Sequence, residues 1–156
     1  MKKMNKKGFT LIEMLVVIAI IAVLVSIIIP VVGNSTNKAE GATDAANLRS
    51  ALAEIQINVM DGSIAKPATD DAAAWAAAKP GEGETSVLSA TVQNMESKFS
   101  STSSAPYSLY YIVMSDGSVN VCFATAAPAT ADAKVNDIAY YQTIAETGKV
   151  PGSDTE

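Results

Sequence analysis

The stretch FTLIEMLVVIAIIAVLVSIII, residues 9–29, is the most apolar part of the chain and contains one charged side chain, Glu13. As an α-helix, its 21 residues would extend about 31 Å, because each residue adds 1.5 Å. That length matches the hydrocarbon core of a bilayer, which is roughly 30 Å thick. The run therefore predicts a membrane-spanning helix.

The charges that flank this run are asymmetric. Four lysines precede it: Lys2, Lys3, Lys6 and Lys7. The next basic residue along the chain is Lys38. Because basic residues next to a spanning helix remain on its cytoplasmic side, we expect residues 1–8 in the cytoplasm and the bulk of the chain outside.

Glu13 needs a partner if the run enters a membrane, because a carboxylate near the centre of a spanning helix costs roughly 2.5 to 3.5 kcal/mol. In one interpretation, Glu13 reaches the interface or stays protonated. In the other, it pairs with a cation from another chain. The simplest such cation is the α-ammonium formed by cutting between Gly8 and Phe9.

The sequence KGFTLIE, residues 7–13, closely resembles the class III signal of type IV pilins and of the related pseudopilins. The resemblance covers about the first thirty residues. It implies that a prepilin peptidase cleaves after Gly8 and methylates the new amine of Phe9. It also implies that Glu13 neutralises the Phe9 ammonium of a neighbouring subunit in a filament core, and that the helix kinks at Pro30.

Cleavage before the apolar run would leave that run in the mature protein, unlike cleavage of a secretory signal peptide. The run would first anchor the chain in the membrane and later pack against copies of itself. Each large apolar side chain buried in this way contributes about 1.5 to 3 kcal/mol relative to water. A repeated contact that does not close into a ring produces a filament.

Composition narrows the possible partners of the remaining chain. After a leader and an anchor, a chain of 156 residues suits one small head domain. The net charge is −5, and without the leader lysines seven basic residues face 16 acidic ones, a balance of −9. Such a domain should repel phosphate backbones, so no direct nucleic-acid binding is expected.

The single cysteine, Cys122, excludes an intramolecular disulfide. Many pilins of diderm bacteria close their C-terminal region with a cysteine pair. Either another device closes that region here, or the chain comes from a lineage, such as Gram-positive bacteria, that lacks the pair. Cys122 lies in an apolar stretch and is expected to be a small buried group.

A helical period becomes clear from residue 42 onward. Apolar residues follow an a/d spacing: Ala45, Leu48, Leu52, Ile55 and Val59. Asp61 and Gly62 then end the helix. Together with the anchor, this pattern predicts one long, bent helix over residues 9–60, with its second half buried under the head. A coiled-coil seam is the alternative, although the stripe lasts only about two heptads.

The head is predicted to contain short helices and a β-hairpin. We expect an alanine-rich helix over residues 70–79, pinned to the domain by Trp75 or presenting that aromatic for adhesion or subunit contact. A further helix is expected from Thr85 or Ser86 through Phe99. Two aromatic and β-branched stretches flank Ser115-Asp116-Gly117 and predict a hairpin over residues 107–124.

Residues 131–147 allow two interpretations. A stripe of Val135, Ile138, Tyr141 or Gln142, and Ala145 favours a helix that starts near Asp132 and ends at Gly148. The alternative is a third strand over residues 138–144. We prefer the helix, and we expect residues 100–104 to form a loop and residues 150–156 to form a polar tail.

Enzymatic chemistry has little support in the sequence. Histidine, the commonest general base and metal ligand, does not occur. Neither a CxxC pair, a phosphate-binding glycine loop nor a calcium loop is present. We therefore expect neither catalysis, nor a metal site, nor a cofactor. By resemblance, the chain is a substrate of the peptidase.

These observations predict an α+β, type IV pilin-like fold. A long N-terminal helix, first transmembrane and then amphipathic, would pack on a small head with short helices and a β-hairpin or small antiparallel sheet. The expected organisation is a cleaved leader (1–8), a transmembrane and filament-core helix (9–30), its amphipathic continuation (31–62), and a head with a variable C-terminal region (63–156).

The resemblance implies a structural subunit of a type IV pilus, which serves adhesion, twitching motility or biofilm formation. The implied partners are further copies in a helical homopolymer, the prepilin peptidase, an assembly ATPase, a platform membrane protein and, before assembly, the inner membrane. The chain would first be a single-pass membrane protein with an extracytoplasmic head and then part of an extracellular filament. One alternative is a pseudopilin of a type II secretion or competence DNA-uptake system; a more distant one is an ordinary anchored or Sec-exported surface protein.

Overall fold

A computed structural model describes residues 9–81, 84–97, 99, 107–129 and 136–151, without the side chain of Pro30. A long helix comes first, followed by short elements of both kinds. In chain order these are α1 (Leu11–Met60), a 3-10 turn (Asp70–Ala72), β1 (Ala76–Ala77), α2 (Ala90–Gln93), β2 (Glu96–Ser97), β3 (Tyr107–Val113), β4 (Val119–Ala124) and α3 (Ile138–Thr147). The predicted α+β pilin-like architecture is confirmed.

Helix α1 is a single element of 50 residues. Thr10 caps its N-terminus, and Asp61 is its C-cap, followed by Gly62 with a φ of 84°. The helix continues through Pro30, so the proline does not end it. The long helix predicted over residues 9–60 is therefore confirmed, whereas the kink at Pro30 stays a prediction.

The second half of α1 supplies one side of the hydrophobic core. Four of the five residues of the predicted stripe are buried: Ala45, Leu48, Ile55 and Val59. Leu52 is only half-buried, and Ala51 is fully buried instead. The buried face of α1 packs on the sheet and on α3.

The sheet is built around β3. Strand β4 pairs with β3 antiparallel along its whole length, from Ser108↔Ala124 to Val113↔Val119. In the turn between them, Gly117 has a φ of 87°. The predicted hairpin is confirmed. On the other edge of β3, β2 pairs with its first two residues and β1 pairs with its middle, at Tyr110 and Tyr111.

The helix predicted over residues 70–79 is wrong. Only the turn Asp70–Ala72 is helical, and Ala76–Ala77 pairs with Tyr110 and Tyr111 of β3. The backbone N–H of Ala78 also donates to the carbonyl of Leu109 at 2.9 Å. A ten-residue helix is marginal in isolation, and the open edge of β3 provides stronger backbone pairing. Trp75 lies half-buried just before β1.

The helix predicted from residues 85–86 through Phe99 is also largely wrong. Among the described residues of this range, only Ala90–Gln93 is helical, and its N-cap is Ser89, whose hydroxyl accepts from the Val92 N–H. The Ser89 hydroxyl in turn donates to a Glu54 carboxylate oxygen at 2.8 Å, which ties α2 to α1. Downstream, β2 pairs with the start of β3 and so replaces the rest of the predicted helix.

Residues 138–147 form a helix, so the preferred interpretation is confirmed and the alternative strand is wrong, although the predicted start near Asp132 is also wrong because the helix begins at Ile138. Asp137 caps α3 by accepting from the Tyr140 N–H at 2.9 Å, and Gly148 ends it with a φ of 75°. Asp132 and Val135 lie outside the described residues. Tyr141 is fully buried, with its ring edge-on to Phe123 at a centroid distance of 5.6 Å.

Helix α3 closes the C-terminal region by packing against α1. A Cβ atom at Gly41 would lie 2.8 Å from the side chain of Ile144, so only glycine allows this approach. The side-chain amide of Asn37 also donates to the Gly148 carbonyl at 3.1 Å. Cys122 is buried as predicted, and its burial, reinforced by the charge of Asp137, raises its pKa to about 12.

The Gly41 contact predicts opposite effects for two glycine-to-alanine substitutions in α1. Gly41→Ala should destabilise the head, because overpacking of about 1 to 3 kcal/mol outweighs a helix-propensity gain of about 1 kcal/mol. Gly33→Ala is the matched control, because no atom lies within 4 Å of the added methyl group. Thermal unfolding of the full chain in detergent, followed by near-UV circular dichroism, measures both. A Gly41→Ala chain as stable as the control would contradict the α1–α3 contact.

Asp44 is a buried carboxylate of α1. The Ser97 hydroxyl donates to its Oδ2 at 2.7 Å. Burial raises the pKa of Asp44, and the charge of Glu40 acts in the same direction. The folded chain therefore binds a proton at this site more tightly than the unfolded chain does.

This raised pKa predicts a pH dependence. The stability of the native chain relative to Asp44→Asn should rise as the pH falls through the folded-state pKa of Asp44, and it should level off below about 3.9, the unfolded-state value. Asparagine still accepts from Ser97 but does not titrate. Urea unfolding of both chains across the acidic range checks the difference. A difference that is constant with pH, or one that shrinks on acidification, would contradict the assignment.

Candidate functional site

The candidate site is the first half of α1 with the residue pair that precedes it, residues 9–32, here called the apolar segment. All eighteen of its large apolar side chains are exposed, from 45% for Val25 to 83% for Leu11. It is long and apolar enough to cross a membrane, and no part of its most apolar stretch is buried inside the structure. The rest of the described chain leaves this surface uncovered.

So much exposed apolar surface requires a non-aqueous environment. The largest apolar patch on a typical soluble monomer is about 300–600 Å², and eighteen large side chains on one rod far exceed that area. Burying each contributes about 1.5 to 3 kcal/mol. The segment therefore binds lipid, other proteins or copies of itself.

The polar groups inside the segment are satisfied within it. The Ser26 hydroxyl donates to the Val23 carbonyl at 2.7 Å. Just beyond the segment, the hydroxyls of Ser35 and Thr36 donate to carbonyls one turn earlier, at 3.1 and 3.0 Å. A helix that satisfies its own hydrogen bonds can lie in lipid or in a protein interior.

A capping box closes the N-terminus of α1. The backbone N–H and the hydroxyl of Thr10 both donate to Oε2 of Glu13 at 2.7 Å, and the Glu13 N–H donates to the Thr10 hydroxyl at 3.3 Å. Both donors use the same carboxylate oxygen. The box holds the Glu13 carboxylate at the first turn, where the helix dipole favours a negative charge.

Sequence reasoning missed the part played by Thr10. The signal was present, because Thr followed three residues later by Glu before an apolar run is the pattern of a capping box. The box gives Glu13 a partner inside its own chain. The carboxylate is therefore engaged in the isolated subunit without any second chain.

The structure places the predicted site residues at two ends of the apolar segment. Phe9 is 81% exposed and lies beside the capping box of Thr10 and Glu13. Pro30 lies about 26 Å from Glu13 along the helix axis. Gly8 lies outside the described residues. Phe9 and Glu13 thus share one end of the helix, and Pro30 is separate from them.

Comparison with known proteins identifies this end of the chain. The family model for the prokaryotic N-terminal methylation motif matches residues 3–29. This segment is the class III signal peptide of type IV pilins. The motif implies processing by a prepilin peptidase and assembly into a pilus or pseudopilus. No curated protein and no solved structure matches the chain.

The class III signal peptide and the exposed apolar helix support a type IV pilin-like or pseudopilin precursor. They also indicate that the chain is anchored in a membrane before assembly. Subunits of this family are structural proteins and not enzymes. Among the described residues, no group of three or more His, Cys, Asp or Glu side chains could hold a metal ion.

Proposed function

We propose that the chain is the precursor of a type IV pilin, a structural subunit that polymerises through its N-terminal helix into a cell-surface filament. The observation that carries this proposal is the apolar segment. It is uncovered in the isolated chain, carries the methylation motif, and continues without a break into the helix that the head packs on. Such a subunit can exchange lipid for the apolar segments of its neighbours.

The proposed organisation follows the predicted boundaries. Residues 1–8 form the cleaved leader, residues 9–30 span the membrane and later line the filament core, and residues 31–62 continue the helix under the head formed by residues 63–156. A kink at Pro30 would let the two parts of α1 follow different directions in the filament. The further partners are the assembly ATPase and the platform membrane protein.

In the proposed mechanism, the Glu13 carboxylate changes its binding partner when the subunit is assembled. Cleavage after Gly8 turns the amide nitrogen of Phe9 into an ammonium, which keeps a positive charge after methylation. In the isolated subunit, the capping box engages Oε2 of Glu13. During assembly, the ammonium of a neighbouring Phe9 reaches the same carboxylate. Since both charges would otherwise be buried alone in an apolar core, their pairing sets the register between subunits.

The pseudopilin of a secretion or DNA-uptake system is the second candidate, because the methylation motif is common to both kinds of subunit. The two differ in the product of assembly. A pilin forms long filaments that can be sheared from cells, whereas a pseudopilin forms a short piston that stays in the envelope. Adhesion, twitching motility and biofilm formation belong to the first case.

Mass spectrometry of the N-terminal peptide tests the proposal and separates the two candidates. We expect a peptide that begins at methylated Phe9 and is abundant in material sheared from the cell surface. The same peptide confined to the membrane fraction would favour a pseudopilin. A chain that still begins at Met1, or one cut after the apolar segment, would contradict the proposed processing.

Two substitutions at Glu13 separate its charge from its cap. Glu13→Gln retains an acceptor for the capping box but removes the charge, and Glu13→Ala removes both. We expect both variants to be inserted and cleaved normally, yet to form few or no filaments, because each leaves the Phe9 ammonium unpaired. Electron microscopy of sheared material measures the loss. Normal filaments from Glu13→Gln would show that the ion pair does not set the register.

A further inference from the structure

The base of the head lies directly above the apolar segment. Ile144 packs against Gly41, while Gly148, four residues later, lies against Asn34 and Lys38. Helix α3 therefore runs antiparallel to α1, with its C-terminal end directed toward the apolar segment. Residues 147–149, here called the basal turn, are centred on Gly148 and therefore lie close to the level of Asn34.

The distance between the apolar segment and the basal turn is very short. Val32 is the last large apolar side chain of the segment, and Asn34 follows two residues later, a rise of about 3 Å. The headgroup layer adds about 5–7 Å on each side of the hydrocarbon core. When residues 9–30, about 33 Å long, fill that core, Asn34 lies about 6 Å beyond it, so the basal turn falls within the headgroup layer.

The basal turn is held firmly at this height. The Gly148 N–H donates to the Ile144 carbonyl at 2.7 Å, and the Lys149 N–H donates to the Thr147 hydroxyl at 3.1 Å. From the side of α1, Asn37 donates to the Gly148 carbonyl at 3.1 Å. The first two bonds fix the shape of the turn, and the turn cannot move away from α1 without losing the Asn37 bond.

The chemistry of the basal turn fits a phospholipid surface. Lys149 is exposed, and Lys38 approaches the same turn, with its Cε 3.3 Å from where a Cβ of Gly148 would lie. Glu40 follows Lys38 by two residues on α1, and Glu146 precedes Lys149 by three residues on α3, so both carboxylates lie only about 3 to 5 Å further from the membrane. The lysine side chains are long enough to place their ammonium groups among lipid phosphates.

We propose that the basal turn is a bilayer-contact surface, which lies among phospholipid headgroups while the chain is anchored and places Lys149 at the level of the phosphates. This inference rests on the membrane anchorage of the proposed function. Its consequence is that extraction of a subunit separates two surfaces from lipid. One is the apolar segment, and the other is the base of the head.

Site-directed fluorescence in vesicles tests this surface with the full chain. Single labels are attached at Lys149→Cys, Ala139→Cys and Val23→Cys in a Cys122→Ala background. The vesicles contain phosphatidylcholine and phosphatidylglycerol, with a nitroxide quencher either on the headgroup or deep in the acyl chain. Ala139 is the matched control, because it is exposed near the start of α3, about 12 Å further from the membrane than the end of that helix at Thr147. Glu146→Cys repeats the measurement if Lys149→Cys alters the turn.

The headgroup quencher should reduce the fluorescence at position 149 several-fold more than at position 139. Equal quenching at the two positions would overturn the inference, because the head would then stand away from the bilayer. The label at position 23 reports separately on the anchor. If the acyl-chain quencher does not affect it, the proposed membrane anchorage fails, whatever the result at position 149.

Discussion

One constraint governs the structure: the two halves of a single continuous helix must lie in two different environments. Its second half is covered by the sheet and by α3, whereas the apolar segment has no cover from the described chain. Because the backbone and hydroxyl groups of the segment bond within the helix, only its apolar surface needs a partner. The same segment can therefore leave lipid for protein without refolding.

Sequence reasoning succeeded where the signal is local. The apolar segment, the stripe on the second half of α1, the hairpin around Gly117 and the helix ending at Gly148 each have their own period, cap or turn. It failed at residues 70–79 and 85–99, where alanine content and spacing favoured helices. There two short strands pair with one edge of β3, at its start and at its middle, and this pairing depends on residues far apart in the chain. The sequence contains the pattern of a Thr10 cap, but only the structure shows which hydrogen bonds Thr10 and Glu13 form.

The head is held together without any covalent link. Three noncovalent contacts tie distant parts of the chain to α1. Helix α3 packs against α1 at Gly41 and Gly148, and the N-cap of α2 bonds to Glu54. The third contact is the aromatic packing around Tyr141. The contact between α1 and α3 needs glycine at both positions, because a side chain at Gly41 or Gly148 would occupy space that the other helix fills. Closure of the C-terminal region therefore depends on close helix packing, which is sensitive to one methyl group.

The burial of Cys122 has a consequence for an assembled state. Copies packed side by side outside the cytoplasm would place one thiol per subunit at a high local concentration under oxidising conditions. A thiol with a pKa of about 12 stays protonated, and the thiolate is the form that attacks a disulfide or reacts with oxidants. Because Cys122 is buried in β4, its thiol is not on the surface that the folded subunit presents to a neighbour. In the proposed filament, the contacts between subunits would therefore be noncovalent at this residue.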